Sequence, residues 1–204
     1  MKTMKKINSI LAFALVLALM LSLSVSAFAA NTKKSTAKAD ADEVTELNWE
    51  DFEEALEESE LEGGFYTLNA VSAQFWVPSF FVQTELTDED AEEGLIAYFD
   101  DGSEDSDYGF FVTYFDLEGA TLEEYAEEIA EDKDYHDLEV LKINGLDAIG
   151  YTEDDKEMGV VFEYVSFVTD DGYLLTFTYW DFADEDYQAL VAIMVASIMP
   201  EETE

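Results

Sequence analysis

Five carboxylates stand within eight residues of this 204-residue chain, Asp100, Asp101, Glu104, Asp105 and Asp107, and aromatic Tyr108 follows them directly. Oxygen ligands at that density suit Ca²⁺, which accepts irregular sets of roughly six to eight oxygens from one or two loops. The spacing is not that of an EF-hand. A loop starting at Asp100 puts Gly102 at the third position and Phe111 at the twelfth, where a glutamate is required. The run "DEDAEEGLIAYF" from Asp88 fails as well, with its glycine seventh and Phe99 twelfth. The five acids are thus a candidate non-EF calcium site, set against a solvated hairpin tip that gathers cations diffusely. Beyond such Ca²⁺ the sequence implies no cofactor.

Other chemistries find less support. With 49 acidic residues, carboxylate pairs of the kind used in glycoside hydrolysis occur everywhere and single out nothing. His136 is the one histidine, so no His-His zinc set exists and a Ser-His-Asp triad has a poor basis; no serine sits in G-x-S-x-G. There is no glycine-rich phosphate loop and no cysteine, which excludes thiol catalysis, disulfides and thiolate metal ligation. Trp49, Trp76 and Trp180 could stack on sugars, although aromatics at regular spacing are mostly core. Trp180, at a strand end beside Asp181, is the exception.

Charge narrows the partners further. Every acidic residue lies at Asp40 or later and only Lys133, Lys142 and Lys156 lie beyond that point, so residues 40–204 carry 3 − 49 = −46. The chain has no arginine. Nucleic acid, anionic membranes and phosphorylated metabolites are repelled, while basic proteins, basic peptides and divalent cations are attracted in a salt-dependent way. A composition 49% hydrophobic and 14% aromatic nevertheless predicts a folded domain rather than a solvated polyanion.

The elements that must position these residues begin after the N-terminal segment. Lys2, Lys5 and Lys6, an apolar run from Ile10 to Val25 and the small-residue close at Ala27-Phe28-Ala29 predict a signal peptide over residues 1–30. The mature chain is then secreted to the extracellular side with no membrane anchor. Residues 31–42 read as a flexible leader and 43–204 as a single domain. Helical spacing of Trp49, Phe52, Ala55 and Leu56 predicts a helix over 48–61 with Asn48 as its cap and Gly63-Gly64 after it. Residues 65–81 read as extended with Pro78 as terminator, and strands are expected over 94–99 and 108–115 with the acidic run as the loop between them. Thr121 and Glu124 form a capping box for a helix in "ATLEEYAEEIAED". Asn144-Gly145 and Asp171-Gly172 mark hairpins, His136 falls in a polar connection, and a last helix runs from an Asp184 cap to Pro200. Helix and strand clusters in that order predict an α+β protein, an α/β/α sandwich with a largely antiparallel sheet and helices packed on it.

The succession "VSAQFWVPSFF", "GATLEEYAEEI", "INGLDAIGY", "DDGYLLTFTY" and "VASIMP" over residues 65–200 resembles the PsbP-like superfamily of α/β/α sandwiches. That resemblance implies an accessory or protein-binding role and no shared catalytic motif, so it carries over no functional residue. Its expected role is a non-enzymatic binding module for a cationic or protein partner. The alternatives are a carbohydrate- or cell-wall-associated module using exposed aromatics, and an uncharacterised carboxylate-dependent hydrolase.

Overall fold

The computed structural model of the protein describes residues 44–58, 61–103, 108–156, 158–169, 171–180 and 185–201. The signal segment, the leader, the Asp184 cap, and Glu104, Asp105 and Asp107 of the acidic run lie outside these residues. The elements in chain order are β1 (Thr45–Leu47), α1 (Trp49–Glu58), β2 (Gly63–Leu68), β3 (Ala73–Pro78), β4 (Val82–Gln83), α2 (Asp88–Glu92), β5 (Leu95–Asp100), β6 (Gly109–Asp116), α3 (Leu122–Glu131), β7 (Tyr135–Ile143), β8 (Leu146–Asp155), β9 (Val160–Val168), β10 (Tyr173–Trp180), α4 (Glu185–Ala196) and β11 (Met199–Pro200).

The architecture is α+β. One sheet has the order β1-β7-β8-β9-β10-β6-β5-β4 and is antiparallel except where β1 runs parallel to β7; a second has the order β11-β3-β2 and is antiparallel. The second sheet corrects the single extended run expected over 65–81. That run folds on itself at residues 69–72, and its second arm, with Phe75 and Trp76 both buried in the main core cluster, pairs outside the large sheet. One element was not anticipated, and one further correction concerns the histidine. "DEDAE" forms the short helix α2, because Thr87 Oγ1 accepts from Asp90 N while Asp90 Oδ2 accepts from Thr87 N, a capping box that favours the helical turn. His136 is not in a connection but inside β7, opposite Thr152.

Strand alternation divides the large sheet into two faces. The inner face carries Leu141, Ile143, Ala148, Val165, Phe167, Leu175, Phe177, Tyr179, Phe110, Val112, Ala97 and Phe99, which join Phe52 and Leu56 of α1, the apolar residues of α4, and β3 in one core cluster. The outer positions Ile149 and Tyr151 of β8 cluster with Ile129 of α3 and with Tyr125, Tyr135 and Tyr164. The α3 capping box forms as expected, Thr121 Oγ1 accepting from Glu124 N at 3.2 Å and Glu124 Oε2 accepting from Thr121 N at 2.9 Å.

The Asn144-Gly145 turn does more than join β7 to β8. Asn144 takes φ +48° and Gly145 φ +85°, the left-handed pair a two-residue hairpin requires. Asn144 Oδ1 accepts the first helical amide of α1, Trp49 N, at 2.7 Å, and the helix begins directly after Asn48. Its Nδ2 donates to Ala196 O and Ile198 O, each at 2.7 Å, and its own backbone N–H donates to Leu47 O at 2.8 Å. One side chain therefore fastens the start of α1 to the end of α4. Nearby, Ser197 Oγ accepts from Trp76 N at 2.7 Å and donates to Met194 O at 2.6 Å, tying the small sheet to the same helix end.

Candidate functional site

Asp100 and Asp101, the described members of the acidic run, each close a local turn. Asp100 Oδ1 accepts from Gly102 N at 2.7 Å, and Asp101 Oδ1 accepts from Ser103 N at 2.9 Å and from Ser103 Oγ at 2.7 Å. The position of the run, between β5 and β6, is the hairpin loop expected for it. No three acidic or imidazole side chains converge on a metal-sized site among the described residues.

Asp100 has a second setting that the loop alone does not reveal. It ends β5 on the outer face, directly opposite Gly109 of β6; Gly109 is opposite Trp180 of β10, Trp180 is opposite Phe162 of β9, and Phe162 is opposite Glu153 of β8. One cross-strand row thus has two aromatic rings at its centre and a carboxylate at each end. Neighbouring strands lie about 4.8 Å apart, so the four intervals from Asp100 to Glu153 span about 19 Å. Gly109 makes room for the indole. A Cβ built there would stand 2.3 Å from Trp180 Cζ2, which means the indole lies across the glycine. Tyr98 and Phe111 flank it, with ring centroids 5.4 and 6.2 Å from Trp180 and ring planes tilted by 33° and 31°. Tyr98, Phe111, Trp180 and Phe162 are all partly exposed. Burial, and then the charge of Asp100, push the Tyr98 phenol up from its ordinary value. At the other end Tyr164 donates its hydroxyl to Glu153 Oε2 at 2.6 Å. Trp76, by contrast, is buried in the core and Trp49 stacks edge-on against Phe65, so of the three tryptophans the row takes the one expected.

The inner face holds a different constellation. Val161, Glu163, Val165 and Phe167 share one side of β9, and Glu163 occupies this core-facing register with only 3% of its surface exposed. Its Oε1 lies 3.5 Å from where a Cβ on Gly150 would be, and Gly150 is directly opposite Glu139 of β7. Tyr179 of β10 is directly opposite Glu163 and fully buried. Glu139 and Glu163 thus both lie beside Gly150, where Leu141 Cδ1 would stand 3.1 Å from a Cβ, and Tyr179 lies beyond Glu163 on the same face. Among the described residues Glu139 Oε2 and Tyr179 Oη are buried with no hydrogen-bond partner. Burial, and then Asp137, push the Glu139 carboxyl up to about 7. Burial, followed by the charges of Glu139 and Asp137, holds Glu163 well above the usual carboxylate range, and burial with the charge of Glu163 raises Tyr179. The same face carries His136, whose Nδ1 lies 2.7 Å from Thr152 Oγ1 and 2.8 Å from Asp137 Oδ2.

Sequence reasoning passed over this trio. Its one signal was a lone acid at a core-parity position in "VVFEYVSF".

No family model matches the sequence and no curated protein matches it. Among solved structures the chain is similar to the solution structure of cyanobacterial PsbP (CyanoP) from Synechocystis sp. PCC 6803, at 14% identity over 69% of this chain and 93% of that one, with a TM-score of 0.48. It is also similar to a crystal structure from Bacteroides thetaiotaomicron VPI-5482, at 12% identity, with a TM-score of 0.45. That match covers 70% of this chain and 50% of the Bacteroides chain.

Proposed function

We propose that the protein is an exported, non-enzymatic binding module whose outer sheet face docks a basic peptide or the basic surface of another protein. The observation that carries this reading is the row Asp100–Trp180–Phe162–Glu153. Aromatic faces attract ammonium and guanidinium groups by about 0.5–2 kcal/mol each, and a carboxylate beside the ring adds charge complementarity. The field of a domain carrying −46 over residues 40–204 would speed the encounter with such a partner and repel nucleic acid. We further infer an α/β/α sandwich of the PsbP-like kind, a reading supported by the quoted motifs falling on β3, α3, β8, β10 and the end of α4.

The test is a titration of the full chain with an extended peptide bearing two lysines six residues apart, followed by tryptophan emission at low and high salt. Saturable quenching that weakens with salt and disappears in Trp180→Ala is the expected result. Quenching of equal size in Trp180→Ala, or none in the wild type, removes the reading.

A second reading, binding of a glycan, is favoured by the shallow 33° and 31° tilts of Tyr98 and Phe111 against Trp180, which suit stacking on a sugar ring. It predicts retention on insoluble polysaccharide that survives high salt.

A further inference from the structure

We propose that the chain's own lysine-bearing segment, residues 33–38, docks across the aromatic row Asp100–Trp180–Phe162–Glu153 and must be displaced before an outside partner binds, an inference that rests on the row's reading as a site for basic groups. Strand direction brings the segment to the row. β1 runs parallel to β7, with Thr45 opposite Leu141, and β7 starts at Tyr135, which is opposite Glu153. The amino-terminal end of β1 therefore points toward the end of the sheet at which the row lies. The same end gathers further acids: Asp101 after β5, Asp132 and Asp134 before β7, and Asp154 and Asp155 closing β8, with Lys133 and Lys156 as the cations among them.

The length of chain before β1 matches the span. Ala148, opposite Leu141, and Glu153 are five residues apart on β8, so the row stands about 17 Å beyond Thr45 along the strands. Glu153 lies two strands over from β1 and Trp180 four, roughly 10 and 19 Å sideways, which makes the straight distances from Thr45 about 20 and 26 Å. Lys38 is seven residues before Thr45 and Lys34 eleven, reaches of roughly 23 and 36 Å for an extended chain. Lys38 thus reaches Glu153, and Lys34, four residues and about 13 Å further, covers the two strands to Trp180. Charge selects this occupant. Lys33, Lys34 and Lys38 are the charged residues of 31–39, so a segment carrying +3 is tethered to a domain carrying −46 over residues 40–204. The tether holds it at an effective concentration in the millimolar range, so ion and cation–aromatic contacts too weak to retain a free peptide keep the row occupied. An incoming basic partner must outcompete that segment.

The chain has no cysteine, so Ser35→Cys in the full chain carries a single nitroxide label. In nuclear magnetic resonance at low salt the label should broaden the Trp180 indole N–H signal, assigned by its loss in Trp180→Ala. The broadening should vanish in about 1 M salt, where the screening length is about 3 Å, and in a chain also carrying Lys33→Gln, Lys34→Gln and Lys38→Gln. At low salt the peptide with two lysines six residues apart should bind this triple-lysine variant about two- to tenfold more tightly than wild type. The substitutions leave residues 44–201 as they are. A Trp180 signal equally sharp at low and high salt, or broadening that survives loss of the lysines, overturns the docking. Broadening on an unlabelled chain mixed with a labelled one assigns the segment to a second copy and overturns the intramolecular contact. Equal peptide affinity in the two chains removes this inference and leaves the row's function standing. No peptide binding by either chain removes the reading of the row and the inference that rests on it.

Discussion

The buried carboxyl pair makes a sharp prediction for stability against pH. Glu139 sits at about 7 in the fold against an ordinary value of 4.5, and Glu163 is raised in the same direction. Between those limits the folded state binds more protons than the unfolded chain, so stability is greatest below the unfolded value and declines as pH rises toward the folded one. For Glu139 the interval corresponds to about 3 kcal/mol at 1.36 kcal/mol per pH unit, reduced to about 1–2 kcal/mol because one side of this carboxyl meets solvent. Glu163, almost wholly enclosed and raised in the same direction, deepens the decline. Urea unfolding of the full chain in metal-free buffer, from pH 5 to 8 and at high salt to quiet the surface charge, should show this loss. Glu163→Gln keeps the shape and removes the charge, so its curve should be flatter and should lie above wild type by about 1–3 kcal/mol at pH 8, converging with it near pH 5. A wild-type curve that is level over this range, or a variant weaker than wild type at pH 8, would refute the reasoning.

Asn144→Ala should cost about 3 kcal/mol, from three lost hydrogen bonds at roughly 0.5–1.5 kcal/mol each plus strain at φ +48°, and lower the melting temperature by about 6–12 °C in calorimetry. Gly63→Ala should cost about 1–3 kcal/mol in the same assay, because a Cβ there would stand 2.3 Å from the buried Trp76 ring. Gly109→Ala should displace the Trp180 indole, visible as a shift of tryptophan emission, and should weaken peptide binding by about 2- to 30-fold, the range of one lost cation–aromatic contact. Asp100→Asn should weaken it by no more than about fivefold, as befits an exposed ion pair, with the difference vanishing at high salt.

Local chemistry was readable from the chain and long-range pairing was not. Thr121 with Glu124, Asn144 with Gly145, and Asp171 with Gly172 announce a cap and two turns because each acts over two to four residues. The division of 63–78 into a hairpin belonging to a second sheet depends on β11, more than a hundred residues away, pairing with β3. The aromatic row needs β10 to lie between β9 and β6, although β7 and β8 separate β6 from β9 in sequence. Glu163 could have been noticed as a charge in an apolar strand. Its nearness to Glu139 could not, because it depends on β8 lying between β7 and β9 and on which residues pair across them.

The Asn144 clasp bears on the order in which the polypeptide can mature. Synthesis delivers Trp49 early, the turn residue 95 positions later and Ile198 a further 54 positions on, yet all three share one amide side chain. A nascent chain emerging amino end first thus cannot complete this clasp until its final few residues are free. β1 likewise waits for β7, its parallel neighbour nearly a hundred positions downstream. Long-range closures of this sort slow compaction, so the polypeptide stays open for most of the time it is being made.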